Sequence, residues 1–180
     1  MQDQGYIPKD LSFDDEAREK LISGISKISN AVKSTLGPQG QTVLIESAEH
    51  TQGLTVTKDG VTVAKSVFLM DPIENLAVRM MKQASEKTAN TAGDGTTTAI
   101  VLTEALVKAG VEHMSGDDNI IQVVREIRSE GDKLLGRIKD EAVQVNDEML
   151  EDIATISANN DREIGGIIAK AYREVGQDIR

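Results

Sequence analysis

A mainly helical protein with one short β-hairpin is what this 180-residue sequence predicts, and three observations carry that reading. Apolar residues recur three or four apart over long stretches, and two short runs rich in β-branched residues, separated by polar residues with a glycine, read as a hairpin. Tyr6, Phe13, Phe68 and Tyr172 are the sole aromatic residues, so Val, Ile, Leu, Met and Ala must build the interior, a palette suited to packed helices. The length is enough for one domain, or two small ones, with a sizeable core.

Ala17, Leu21, Ile25, Ile28, Val32 and Leu36 lay a single stripe along a first helix of about five turns. Ser12 with Asp15 forms a capping-box pattern, Asp14, Asp15 and Glu16 suit the positive end of the macrodipole, and Gly37-Pro38 stops the helix. Thr42 to Ile45 and Leu54 to Thr57 read as a hairpin with a long polar loop, the only sheet expected. Val61, Val63 and Val67 alternate as in a strand, yet Asp59-Gly60 could equally cap a short helix, so periodicity leaves that stretch open. Asp71-Pro72 is an N-cap followed by proline at the first helical position, with Ile73, Leu76, Ala77, Met80, Met81 and Ala84 as the core stripe behind it.

The polar stretch Thr88 to Gly95 separates that helix from another, whose apolar positions run through Ala99, Leu102, Ala105, Leu106 and Ala109. After a turn at Ser115 to Asn119, Ile120, Val124, Ile127, Leu134 and Ile138 mark a long amphipathic helix that tolerates Gly131. Composition changes near Glu141, where the one domain boundary is expected. Two shorter helices follow, Asp147 to Ile156 and Asp161 to Val175, separated by Ser157-Ala158-Asn159-Asn160. No repeat of solenoid length is present.

The charge balance excludes whole classes of partner. Twenty basic against 30 acidic residues give a net charge of −10, without a basic stripe, which disfavours nucleic acid and anionic membranes. The absence of cysteine removes disulfides, zinc-thiolate sites and cysteine nucleophiles, and fits a reducing, cytoplasmic setting. Met1 to Gly5 has neither the basic region nor the apolar region of a signal peptide, and no run of 18 apolar residues occurs. His50 and His113 are isolated and belong to no metal-ligand pattern.

Three polar loops carry the possible chemistry. In Gly93-Asp94-Gly95-Thr96-Thr97-Thr98, two glycines let backbone approach a ligand, helix-initiating N–H groups and hydroxyls can donate to phosphate oxygens, and an aspartate can hold Mg2+ against them. The plain alternative is an ordinary helix start, and the lack of a Walker lysine excludes a P-loop. Thr35-Leu36-Gly37-Pro38-Gln39-Gly40 is by itself a helix stop. Thr57-Lys58-Asp59-Gly60 offers an aspartate that is either a cap or a catalytic group.

Together, Thr35-Leu36-Gly37-Pro38, Thr57-Lys58-Asp59-Gly60-Val61, Gly93-Asp94-Gly95-Thr96-Thr97-Thr98-Ala99 and Thr155-Ile156-Ser157-Ala158-Asn159, in this order and spacing, resemble the amino-terminal third of a group I chaperonin of the GroEL type. The match runs from about Lys9 to Gln177, and it makes the stretch after Asp59-Gly60 helical. The resemblance implies a chaperonin equatorial-domain helical bundle over residues 1–140 and the ascending part of an intermediate domain over residues 141–180. It puts the apical domain, the descending intermediate segment with a further catalytic aspartate, and the carboxy-terminal equatorial part outside these residues. It also implies an ATP-dependent folding subunit that works in a ring of identical subunits. Unfolded proteins and a co-chaperonin would be bound through the apical domain.

By the same resemblance, Asp94 looks like the Mg2+ ligand, and Gly95, Thr96, Thr97 and Thr98 like the phosphate-binding turn. Thr35, Leu36 and Gly37 would line the pocket from the other side, Lys58 would contact nucleotide or K+ through its backbone, and Asp59 would orient or activate the attacking water. Ile156 and Ser157 match the contact near the nucleoside. Gln39 replaces a basic residue, the hairpin loop is longer, Ser115 to Asn119 replaces an Asn-Pro turn, and the amino terminus is extended, differences that point to a divergent viral or bacterial member. The competing expectation is a non-enzymatic truncated module that associates with full-length chaperonin subunits.

Overall fold

A computed structural model describes residues 11–37, 39–46 and 53–176. Pro38, His50, most of the hairpin loop and both chain ends lie outside the described residues. Among the described residues, seven helices and one two-stranded antiparallel sheet follow the expected order, and the chain divides into two compact units between Gly116 and Asp117.

The first unit begins with α1 (Asp14–Lys33). Its N-cap is Phe13, with no side-chain cap. The expected Ser12 capping box does not form, because Asp14 sits at φ 64°, a left-handed conformation that breaks the helical path a Ser12 cap requires. The helix also ends before Leu36. The Thr35 and Leu36 N–H groups bond only three residues back, to the carbonyls of Val32 and Lys33 (3.1 Å each), a tightened last turn, and the Ser34 and Thr35 hydroxyls also donate to Ala31 O (2.7 Å) and Val32 O (2.8 Å).

Strands β1 (Val43–Glu46) and β2 (Leu54–Thr57) pair with Leu44 opposite Val56 and Ile45 opposite Thr55. Val43 and Ile45 turn toward the core, while Leu44 and Val56 share the opposite, exposed face. The stretch that periodicity left open is α2 (Gly60–Ser66), started by Asp59. Then come α3 (Pro72–Ala92), capped by Asp71 as predicted, and α4 (Thr96–His113). The polar stretch from Thr88 to Ala92 is helical rather than loop, and the chain turns only at Gly93, which takes φ 77° and donates its N–H to Ala89 O (2.8 Å).

Helices α1, α3 and α4 pack on one another, and α2 fits against α1, α4 and β1. The core is Ile28 and Val32 from α1, Val63 and Ala64 from α2, Val78 and Met81 from α3, and Ile100 from α4. The expected core stripe of α3 is only partly buried. Met81 is buried but its neighbour Met80 is 62% exposed, since adjacent helical residues point about 100° apart. On α4 the buried face is Thr96, Ile100 and Glu104, whereas Leu102, Ala105, Leu106 and Ala109 are exposed.

Glu104 is 1% exposed. Its carboxylate pairs with Lys33 at the end of α1 and with Lys108 one turn further along α4, the latter at 2.6 Å. Burial pushes this carboxyl up, but the Lys108 and Lys33 ammonium groups beside it outweigh that and hold the group down at about 2.

In the second unit, α5 (Ile120–Glu141) follows an Asn119 cap and carries the predicted stripe, yet none of its residues is buried. Helices α6 (Asp147–Ser157) and α7 (Arg162–Val175), capped by Asn146 and Asp161, pack on each other around Ala154, Gly165 and Ala169. A Cβ at Gly165 would fall 2.6 Å from the Thr155 Cα, so only glycine permits this crossing.

The α1–α3 crossing in the first unit is equally close, since a Cβ at Gly24 would fall 2.3 Å from the Glu74 carbonyl oxygen. Gly24→Ala is therefore expected to lower the stability of the first unit by about 1–3 kcal/mol, because backbone has to move. Gly131→Ala meets nothing within 4 Å in α5 and should cause no loss. Urea titration followed by far-ultraviolet circular dichroism separates the two outcomes.

Candidate nucleotide site

The three polar loops of the first unit meet at Gly60. A Cβ there would fall 2.1 Å from Thr97 Oγ1 and 3.1 Å from Thr35 Oγ1. The first residue of α2 is thus pressed against the first turn of α4 and against the loop after α1.

Each loop is fixed locally. The loop after α1 is closed by the Gln41 N–H donating to Ser34 O (2.7 Å) and by Gly40 N–H to Gly37 O (2.9 Å), with Gly37 at φ 77°. A Cβ at Gly40 would strike the Thr35 carbonyl at 2.3 Å, so this loop too is wound tightly. Leu36 and Gly37 are exposed, and Thr35 is half-buried.

Asp59 is held from two sides. The Val61 N–H donates to Oδ1 (3.2 Å), and the Thr62 N–H (2.9 Å) and hydroxyl (2.6 Å) donate to Oδ2, so the aspartate is the N-cap of α2. Burial raises its carboxyl, but these hydrogen bonds, first of all the Thr62 hydroxyl, and the Lys65 charge leave it below its ordinary value. An ionised, acceptor-only carboxylate of this kind is a weak base and a good orienting group for water. Lys58, just before it, is exposed.

The third loop shares with α1 alone, among the seven helices of the described residues, a start without a side-chain cap. Gly95, at φ 86°, is the N-cap of α4 and has no side chain to accept from the first-turn N–H groups. In α2, α3, α5, α6 and α7 an aspartate or asparagine does that work. The N–H groups of Thr96, Thr97 and Thr98 therefore open the helix without a side-chain acceptor, an arrangement that suits an anion. Exposed Asp94 accepts the Gly95 N–H at 2.6 Å, which fixes its carboxylate beside that turn.

These residues fit a magnesium nucleotide. Among the described residues no cluster of three or more metal-ligating side chains occurs, so no all-protein metal cage is available. One carboxylate beside a phosphate-binding turn is what Mg2+ uses when phosphates and water complete its shell. The Asp94 carboxylate would supply the metal's oxygen ligand, and the uncapped N–H groups that open α4 would face the phosphates.

Ile156 and Ser157 close α6 in the second unit, where Ile156 is exposed. A cleft of about 220 Å³ between α2, α3 and the start of α4 shares only Thr96 with the predicted site residues. In it, Lys82 donates to the Lys65 carbonyl at 2.7 Å, and burial lowers its ammonium pKa. Sequence reasoning did not single out Gly60 as a contact point. Its one signal is a glycine directly after a capping aspartate.

Comparison with known proteins identifies the family. The profile of the TCP-1/cpn60 chaperonin family matches residues 28–179, and the chain belongs to that family. Chaperonin GroEL of Methanospirillum hungatei JF-1 is 41% identical over 169 residues, which cover 93% of this chain and 31% of that protein. The chaperonin gp146 of bacteriophage EL 2 of Pseudomonas aeruginosa, crystallised in the presence of ATP-BeFx, superposes with a TM-score of 0.75 at 31% identity, over 88% of this chain and 28% of that one. A group III chaperonin in the open state gives 0.71 at 26% identity, over 89% of this chain and 32% of that one. The chain thus spans about a third of the length of these relatives. Its helical architecture with one small antiparallel hairpin is that of its chaperonin neighbours.

The Gly60 contact makes a double-mutant prediction. Gly60→Ala should destabilise the first unit by about 1–3 kcal/mol, and adding Thr97→Ala, which removes the hydroxyl nearest the new methyl, should restore part of that loss. Denaturant midpoints of the two single variants and the double variant measure the coupling; strictly additive losses would contradict the contact.

Proposed function

We propose that the first unit is the nucleotide-binding part of a chaperonin subunit, in which ATP binding and hydrolysis drive the folding of client proteins. The observation that carries this reading is the meeting of three loops at Gly60 beside a helix start with no side-chain cap. Membership of the family, and a relative crystallised with ATP-BeFx, support it.

In this reading Asp94 holds Mg2+, and the N–H groups and hydroxyls of Gly95, Thr96, Thr97 and Thr98 take the phosphates. Thr35, Leu36 and Gly37 cover the opposite side, and the Lys58 backbone contacts nucleotide or K+. Bound Mg2+ would neutralise charge on the phosphate oxygens. Asp59, ionised and held in place by Val61 and Thr62, orients the attacking water. Phosphoryl transfer needs mainly such positioning and electrostatic stabilisation, because its loose transition state spreads charge over several oxygens.

Residues 1–140 would be equatorial and 141–180 intermediate, with Ile156 and Ser157 near the nucleoside. The intact protein would act in the cytoplasm, in a ring of identical subunits, and would meet unfolded proteins and a co-chaperonin through an apical domain. Groups from the remaining equatorial segment would complete the pocket, so the 180-residue chain alone should bind Mg·ATP weakly and turn it over very slowly.

Calorimetric titration and phosphate release test the two aspartates separately. Asp94→Ala should abolish Mg2+-dependent ATP binding by the chain. In a full-length subunit, Asp59→Ala should leave affinity almost unchanged and lower turnover about 100-fold or more. Equal loss of binding and turnover in the Asp59 variant would remove the role assigned to it.

A further inference from the structure

We infer that Glu104 is a positioning residue for the nucleotide site: by gripping Lys33 from α4, it fixes the end of α1 and the adjoining loop against the first turn of α4. The inference rests on the nucleotide-binding reading above for its functional meaning, but the contacts that carry it are independent of that reading.

Glu104 faces α1 from a position where an apolar residue would pack as well. A buried ion pair contributes little net stability compared with such packing, but it is directional and rewards one register of two helices. Its two partners do different things. Lys108 is on the same helix, four residues on and 50% exposed, so it neutralises charge without joining elements. Lys33 is the last residue of α1 and 42% exposed, and its ammonium is the charged group that ties the carboxylate to another helix, on which buried Ser29 also lies.

The site loop begins directly after Lys33. The Leu36 N–H donates to the carbonyl of Lys33 itself (3.1 Å), and the loop closes on Ser34, the next residue. The same loop places Thr35 Oγ1 beside Gly60. Thr97, Ile100 and Glu104 are spaced three and four apart, so they share one face of α4 over about 10 Å of rise. This face therefore meets the α2 start and its Thr35 neighbour at Thr97, packs into the core at Ile100, and holds α1 at Glu104. With the two outer contacts fixed, the loop between them has little freedom to shift relative to the threonine turn.

Comparing Lys33→Met with Lys108→Met separates positioning from a merely structural role, since each removes one ammonium from the same carboxylate. Both lysines are half-exposed, so both variants should fold, and Glu104→Gln provides a third that keeps the side-chain shape. Hydrogen exchange over residues 34–41 should be roughly tenfold faster in Lys33→Met and Glu104→Gln and unchanged in Lys108→Met, whatever the change in melting temperature. With Mg·ATP as the probe, Lys33→Met and Glu104→Gln should weaken binding by about tenfold and Lys108→Met by less than about twofold. Equal loop exchange in both lysine variants, faster or unchanged, would overturn the inference. Selective loop loosening in a chain that binds no Mg·ATP would support the clamp and remove the nucleotide reading instead.

Discussion

The first unit depends on the absence of a side chain at position 60. Three segments distant in sequence come together there, and a single methyl group would collide with the Thr97 hydroxyl and crowd that of Thr35. The surrounding elements are built to that approach. Asp59 fixes the direction in which α2 leaves, Thr35 is tied back to α1, and Gly95 lets the chain enter α4 with its first N–H groups uncovered. Remote parts of the unit obey the same principle, since Gly24 lets α1 lie directly on the α3 backbone. Close helix and loop approaches, more than bulky side chains, set the geometry.

The polarity of α4 is the complementary feature. Leu102, Ala105, Leu106 and Ala109 face outward, while a threonine, an isoleucine and an ionised glutamate face the other helices. A helix used this way brings hydrogen-bonding and charged groups to an interior interface and leaves an apolar face for other contacts. The exposed stripe of α5 has the same character. Both belong to a chain that covers about a third of the length of its relatives.

Much of this was legible in the residues, for identifiable reasons. The α3 start was readable because Asp71-Pro72 satisfies helix N–H groups and presets φ, and both act locally. The order and nature of the elements came from periodicity and turn chemistry. The α2 segment did not, because seven residues span barely two turns and three alternating valines fit either state. Periodicity also reports which residues share a face and not what covers that face. It therefore marked apolar stripes on α4 and α5 without saying what covers them, and it put Met80 in the core stripe of α3 although that residue is exposed. Glu104 interrupts an apolar run and reads as solvent-facing until Lys33, distant in sequence, is brought beside it. The chemistry of each polar loop could be read singly. Their convergence could be read only through family resemblance, because a close approach at a glycine leaves no periodic trace.

Whether the three loops form one nucleotide site is best decided by backbone amide shifts on adding ATP with and without Mg2+, because these report on each loop at once. Mg2+-dependent changes should centre on Thr35 to Gly37, Lys58 to Gly60 and Asp94 to Thr98, with α5 and the exposed end of α4 near His113 unaffected. Saturating Mg·ATP that leaves all three loops unshifted, or shifts confined to the cleft around Lys82 and Asn90, would show that the loops converge without binding nucleotide.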